Sequence, residues 1–155
     1  MPTTTAMTNN LEAELLNTTL RGTARTATGG ATLYIALMTN VTADGSLAEN
    51  ASGAGYTARI AMTATTSQCF GVGGVAATGA TAGSAGLSNC NAVTFTASGT
   101  ITIAGIAVCT SSTISGTAST DTSILYYGDI TGGSVTLGNG QTITFAANNI
   151  TISLE

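Results

Sequence analysis

Residues 32–39, TLYIALMT, leave no polar face when the chain is extended. Leu33, Ile35 and Leu37 fall on one side, and Tyr34 and Met38 fall on the other. Period-two alternation marks a strand, and apolar residues on both faces mark one that is covered twice. This segment therefore predicts a central strand. GYTARIAMT (55–63) sets Tyr56, Ala58, Ile60 and Met62 on one side with Arg59 opposite. AVTFTA, TITIAGIAVCT, SILYYGDI, GSVTL, QTITFAA and NITISLE continue the series. In TITIAGIAVCT the alternation breaks at Gly105, which predicts a bulge. LGNGQ lies between two alternating runs and predicts a hairpin turn. Threonine and isoleucine suit such strands because their β-branching costs little on a pleated surface.

The period changes once. In NNLEAELLNTTLRG (9–22), Leu11, Leu15 and Leu16 share a face of a helix. Asn9 is the expected cap, with Glu12 three residues on as in a capping box, and Gly22 is the expected stop. Glu12 and Glu14 near the start and Arg21 near the end complement the helix dipole.

About eight short strands separated by turn signals predict an all-β, antiparallel β-sandwich, with a jelly roll as the preferred form and a short N-terminal α-helix. The expected division is an N-terminal arm and helix over residues 1–25 and a β-sandwich domain over 26–155, with a small-residue insertion at about 64–88. Within that insertion, Gly71–Ser88 (GVGGVAATGATAGSAGLS) holds thirteen Gly, Ala or Ser residues in eighteen. It reads either as a flexible loop or as an ordered arm in which Gly73 and Gly74 let a neighbouring backbone approach closely.

Composition changes the picture mainly by what it removes. Of 155 residues only 6% are charged, against a usual figure of about 25%. Apolar residues make up 43% and the net charge is −4, so a folded core is expected rather than disorder. Threonine occurs 32 times, and lysine and histidine are absent. So sparse a charge gives little protection against self-association, which suits a subunit packed into an assembly. Three arginines, Arg21, Arg25 and Arg59, are too few for a phosphate-binding footprint, so nucleic acid is not an expected partner. No run of 18 apolar residues exists, and MPTTTAMTNN lacks the regions of a secretory signal, so neither a membrane nor export is expected. Four N-x-[ST] triplets, at Asn17, Asn40, Asn50 and Asn149, follow from the composition.

General acid–base chemistry usually draws on histidine, lysine or a tuned carboxylate. The acids Glu12, Glu14, Asp44, Glu49, Asp121, Asp129 and Glu155 form no recognisable pair, and Asp44, Asp121 and Asp129 sit among turn residues. No enzyme and no cofactor is expected. DGSLAEN (44–50) carries oxygen ligands but not calcium-loop spacing, so it reads as a turn. Cys69, Cys90 and Cys109 contain no C-x-x-C pair, and free thiols are the default. A Cys69–Cys90 disulfide across the small-residue span is the alternative, contributing about 3 kcal/mol in the chain-entropy model. Cys109 ends a strand and reads as core. Tyr126 and Tyr127 are adjacent and so point to opposite faces of a strand; one is expected in the core and the other in cross-strand packing or on a sugar or partner surface.

In order along the chain, ATLYIALMT (31–39), GAGYTARIAMT (53–63), LSNCNAVTF (87–95), SILYYGDIT (123–131) and LGNGQTITFAANNITISLE (137–155) resemble a family of small tailed-phage virion proteins described as tail-fibre or structural proteins. Members carry a short amphipathic helix, an LYVALxT strand, a glycine-tyrosine-arginine segment, a GxLLYYGxLT strand and an NNGDTxxFAAGxLTITLD segment. The resemblance covers most of the chain apart from residues 64–86. Two features depart from it: no tryptophan-glycine pair precedes SGTITIAGIAV, and the small-residue span looks inserted. The resemblance implies no catalytic residues.

Composition and resemblance together lead to the expectation of a noncatalytic capsid decoration, or cement, protein on the outer surface of a phage head. It would be made in the host cytoplasm and would act as a dimer or trimer that bridges subunits of the major capsid protein. Binding only the assembled shell would stabilise it by mass action. Expected interface residues are Leu11, Leu15, Arg21, Arg25, Gly73, Gly74, Tyr126 and Tyr127. The alternatives are a tail or fibre component that contacts a host receptor, or a sugar-binding module.

Overall fold

A computed structural model describes residues 5–21, 32–50, 55–62, 70–72, 75–76, 87–116 and 121–152. The fold is an antiparallel all-β sandwich with one short α-helix, α1 (Asn9–Arg21). The principal sheet runs β1 (Thr5–Met7), β11 (Ile124–Asp129), β10 (Gly105–Cys109), β2 (Leu33–Asn40) and β3 (Ala48–Glu49), with β4 (Ile60–Met62) also pairing β2. Leu33–Asn40 is central, as its two apolar faces predict: β10 flanks one side, and β3 and β4 flank the other.

Each face of that strand supplies a different core. Ile35 and Leu37 join Met62, Ile106 and Val108 in the larger cluster, with Leu33 packed at its margin. Ala36 and Met38 join Val41, Leu47, Ala107, Cys109 and Ile124 in a second cluster, with Tyr34 and Tyr127 at its margin. Burial of apolar side chains on both faces makes β2 and β10 the strands on which the hydrophobic stabilisation converges.

The larger cluster is closed by a long two-stranded ribbon. β8 (Val93–Thr96) pairs β13 (Thr142–Phe145), and β9 (Ile101–Ile103) pairs β12 (Val135–Leu137). Between these ladders lie four residues on each strand, 97–100 and 138–141, so one register runs through both. Two bonds carry it across the corner: the Ala97 amide donates to the Gln141 carbonyl (2.9 Å) and the Gly140 amide to the Ala97 carbonyl (2.8 Å). The LGNGQ segment is therefore a bend in a continuing strand, not a hairpin, because its flanking strands pair with 93–103 and not with each other. The turn chemistry is nonetheless present: Gly140 has φ +79°, and Gln141 donates its amide to the Gly138 carbonyl. Inward on the ribbon point Val93, Phe95, Ala97, Ile101, Ile103 and Leu137. Outward point paired threonines, with Oγ1–Oγ1 distances of 2.9 Å for Thr94–Thr144 and 3.1 Å for Thr102–Thr136.

Gly105 is where the chain leaves the ribbon and enters the principal sheet. The inward residues change from odd (Ile101, Ile103) to even (Ile106, Val108), so the broken alternation marks a passage between sheets; the bulge expected at Gly105 lies instead between Val108 and Cys109, against β11. A Cβ at Gly105 would lie 2.7 Å from Val41 Cγ2 and would also strike the Gly128 carbonyl.

A small sheet contains β14 (Thr151–Ile152), β7 (Leu87–Asn89), β5 (Phe70–Val72) and β6 (Val75–Ala76). Both ends of the small-residue span thus enter strands: Gly71 and Val72 pair with Ala76 and Val75, and Leu87 and Ser88 pair with Ile152 and Thr151. Gly73, Gly74 and residues 77–86 lie outside the described residues.

The helix starts one residue earlier in its cap than expected. Thr8, not Asn9, caps it: its Oγ1 accepts from the Leu11 amide (3.4 Å) and donates to the Ile124 carbonyl (2.8 Å), and its carbonyl accepts from Glu12. The Asn9 amide instead donates to Asp44 Oδ2 (2.8 Å) in a 3₁₀ turn over Asp44–Ser46. The N-terminal segment is thereby tied to the sheet, through β1 on β11 and through Thr8. Leu11 is buried and Leu15 half-buried, but Leu16 is exposed, so the three do not share one buried face.

Candidate functional site

The densest polar arrangement lies beside the second core. Strand β3 delivers Glu49, the segment before β4 delivers Tyr56 and Arg59, and the turn before β11 delivers Asp121 and Ser123. Arg59 is 4% exposed and Glu49 3%. Arg59 Nε donates to Glu49 Oε1 (2.8 Å) and Nη2 to Glu49 Oε2 (2.7 Å), a bidentate pair. Nη2 also donates to Asp121 Oδ2 (2.8 Å), and Nη1 to the Ser111 carbonyl (2.8 Å) and Ser123 Oγ (3.2 Å). All five guanidinium hydrogens are thus engaged. Glu49 is equally occupied: Oε1 accepts from the Tyr56 hydroxyl (3.0 Å) and Oε2 from the Ser115 amide (2.9 Å).

The protonation states follow from these contacts. Burial works against the Arg59 charge, but hydrogen bonds to Glu49 and Asp121 outweigh it and raise its pKa further. Burial also disfavours the Asp121 carboxylate, yet hydrogen bonds from Arg59 and Ser123 hold its pKa below the ordinary 3.8. Burial and the Glu49 carboxylate push the Tyr56 hydroxyl well above its usual range, so it remains a donor to Glu49 while accepting the Leu37 amide (3.3 Å). Cys109, fully buried, is pushed up to about 12 by burial despite the nearby Arg59. No buried side-chain nitrogen or oxygen among the described residues lacks a partner. An arrangement with every donor and acceptor engaged clamps four chain segments together; it presents no unengaged base or nucleophile to a substrate.

The expected interface residues are dispersed. Tyr126 and Tyr127 point to opposite faces of β11, Tyr126 against the larger core and Tyr127 against the second. Tyr127 lies near Asp44 and Glu12; burial foremost, then those charges, raise its pKa. Leu11 is spent in the core and Leu15 is half-buried. Arg21 ends α1, but its side chain lies outside the described residues, as does Arg25. The exposed large apolar side chains among the described residues are Leu16 (56%), Leu20 (78%) and Val135 (37%). Cys90 is disulfide-bonded and Cys109 is a free thiol, while Cys69 lies outside the described residues. DGSLAEN forms the 3₁₀ turn, and its Glu49 is committed to Arg59 and Tyr56. No group of three His, Cys, Asp or Glu side chains able to hold a metal occurs among the described residues. Nor is any described helix long and apolar enough to cross a membrane.

Sequence reasoning missed the Glu49–Arg59–Asp121 cluster. The signal available was Arg59 itself, one of three cations in the chain, set within an apolar alternation that a solvated charge would interrupt.

The model of the protein family described as "Podophage GP4 fiber I protein gp80" matches residues 6–153, all but the first five and last two residues. No curated protein matches the chain.

Proposed function

The chain belongs to the podophage GP4 fiber I protein gp80 family, and from that membership we propose that it is a noncatalytic structural subunit of a phage fibre, incorporated into the virion by protein–protein contacts. The observation that carries this reading is the match along almost the whole chain. The fold supports it: the densest polar cluster is consumed in bracing the sandwich, and the chain carries little charge. The expected position on the head surface rested on a looser resemblance, and the fibre description moves the proposal from capsid decoration to the fibre. Self-association as a dimer or trimer is part of the proposal. The 6% charge content and the exposure of Leu16 and Leu20 support it, since sparse charge opposes association weakly.

Cryo-electron microscopy of the parent particle tests the assignment. The fibre reading requires density matching this sandwich within a fibre. Density on the head lattice against the major capsid protein would overturn it and restore the decoration role.

A further inference from the structure

A cleft of about 670 Å³ opens at one end of the principal sheet, where β2 leaves, β10 enters and β11 ends. It is remote in chemistry from the Arg59 clamp, and its lining is of two kinds. Tyr127, Ile130 and Val41 contribute apolar surface, while Asn40, Asp129 and Thr131 contribute polar groups. Gly132 and Gly133 form the rim with φ +99° and +89°, in a turn closed by the Gly133 amide donating to the Ile130 carbonyl (3.2 Å). A Cβ added at either glycine meets nothing within 4 Å, so the mouth is open.

We propose that this cleft binds a neutral saccharide. A sugar ring presents C–H faces that pack on aromatic and aliphatic surface and hydroxyls that both donate and accept, and the lining matches both needs. The polar groups are unspent within the described residues. Asp129 is exposed, and its carboxylate has no hydrogen-bond partner there, leaving two strong acceptors for sugar hydroxyls. Asn40 Oδ1 is held by the Thr42 amide (3.1 Å), which fixes the side chain and leaves its NH₂ group as a double donor. The Thr131 hydroxyl, also exposed and unengaged, can do either. This contrasts with the Arg59 cluster, where every such group is consumed.

The same lining disfavours other ligands. It contains one carboxylate and no cation, so phosphate, sulfate and acidic sugars meet repulsion with no compensating charge. No described trio of acidic, cysteine or histidine side chains can hold a metal. The volume falls within the usual range of small-ligand sites, about 300–1,000 Å³.

The fibre assignment bears only on where the saccharide is met, and microscopy tests that position separately. The saccharide proposal is tested on the purified protein with a panel of neutral hexose and N-acetylhexosamine oligosaccharides, alongside sialylated and phosphorylated counterparts. Neutral oligosaccharides are expected to bind, with amide chemical-shift changes concentrated at Tyr127, Asp129, Thr131 and Gly132. Asp129→Ala, an exposed substitution, is expected to weaken that binding at least tenfold while leaving the unfolding midpoint unchanged. Failure of every neutral member to bind, binding confined to the anionic members, or shift changes mapping away from the cleft would each overturn the proposal. So would full binding by Asp129→Ala.

Discussion

Arg59 and Glu49 face each other with two parallel hydrogen bonds of 2.8 and 2.7 Å, and both side chains are sealed from solvent. A buried pair of this kind recovers its desolvation cost only when the remaining donors and acceptors are also filled. Here Tyr56, Ser111, Ser115, Asp121 and Ser123 fill them. The pair joins β3 to the segment entering β4, and Asp121 extends it to the turn before β11. Segments separated by up to 64 residues are fixed against one another by one side chain.

Removing one partner of the pair strands the other as a buried charge. Arg59→Ala is expected to lower stability by about 3–5 kcal/mol, the usual cost of breaking such a pair. Arg59→Lys is not conservative at this site, because one ammonium cannot reproduce the bidentate fork and the contacts to Ser111 and Ser123. Combining Arg59→Met with Glu49→Leu should cost less than the two single changes summed, because neither charge is then left alone. Denaturant midpoints of the four proteins check this; additive losses would show that the two side chains are not coupled.

Asp121 sets the pH dependence. Its folded-state pKa is depressed below the ordinary 3.8, so its stabilisation is fully present above that value and disappears as pH falls through the lower folded-state value. Asp121→Asn should therefore be less stable than the parent at pH 7, with the gap closing only as both are taken below pH 3.8. Thermal midpoints across that range decide the matter, and a gap independent of pH would assign the interaction to something other than the carboxylate charge.

Cys109 is buried at the end of β10 with its thiol pushed up to about 12. The thiolate is the reactive form, so at pH 8 the folded protein should show essentially no reaction at this residue with a thiol reagent. Unfolding in denaturant without reductant should release it, while disulfide-bonded Cys90 stays unreactive. Mass spectrometry of alkylated peptides reads the outcome; rapid native labelling of Cys109 would mean that this edge of the second core opens readily.

Much of the fold is legible in local pattern because local pattern is what burial acts on. Leu33–Met38 carries apolar residues of both parities, and each parity fills one core. Gly105 marks the phase slip because a side chain there would strike Val41 and the Gly128 carbonyl. LGNGQ misleads for a physical reason: its glycines supply a bend, but whether a bend reverses a strand depends on which partner the strand finds, and residues 93–103 lie far away in sequence. The cap shifts from Asn9 to Thr8 because Thr8 also reaches the Ile124 carbonyl, a tertiary contact that no helix-start pattern encodes. The ion cluster escapes notice for the same reason, since its carboxylates come from opposite halves of the chain. The cleft is formed by a strand end, a phase slip and a glycine turn brought together, and only Tyr127 among its lining carries a signal readable beforehand.

The leucines of α1 separate core from surface within a few residues. Leu11 is 2% exposed, two residues past the contacts by which Thr8 and Asn9 anchor the helix to Ile124 and Asp44. Leu11→Ala should therefore cost about 2–5 kcal/mol, the usual range for a buried leucine truncation. Leu16 and Leu20, at 56% and 78% exposure, bury little within this chain. Leu16→Ser with Leu20→Ser should leave the unfolding midpoint of the dilute protein within about 0.5 kcal/mol of the parent per site, as for other surface changes. The same double variant should lower the average mass in light scattering at high concentration if these side chains contribute to self-association. An unchanged mass would place subunit contacts elsewhere on the sandwich, and a large loss of stability in dilute solution would show that the helix packs more closely than its exposure indicates.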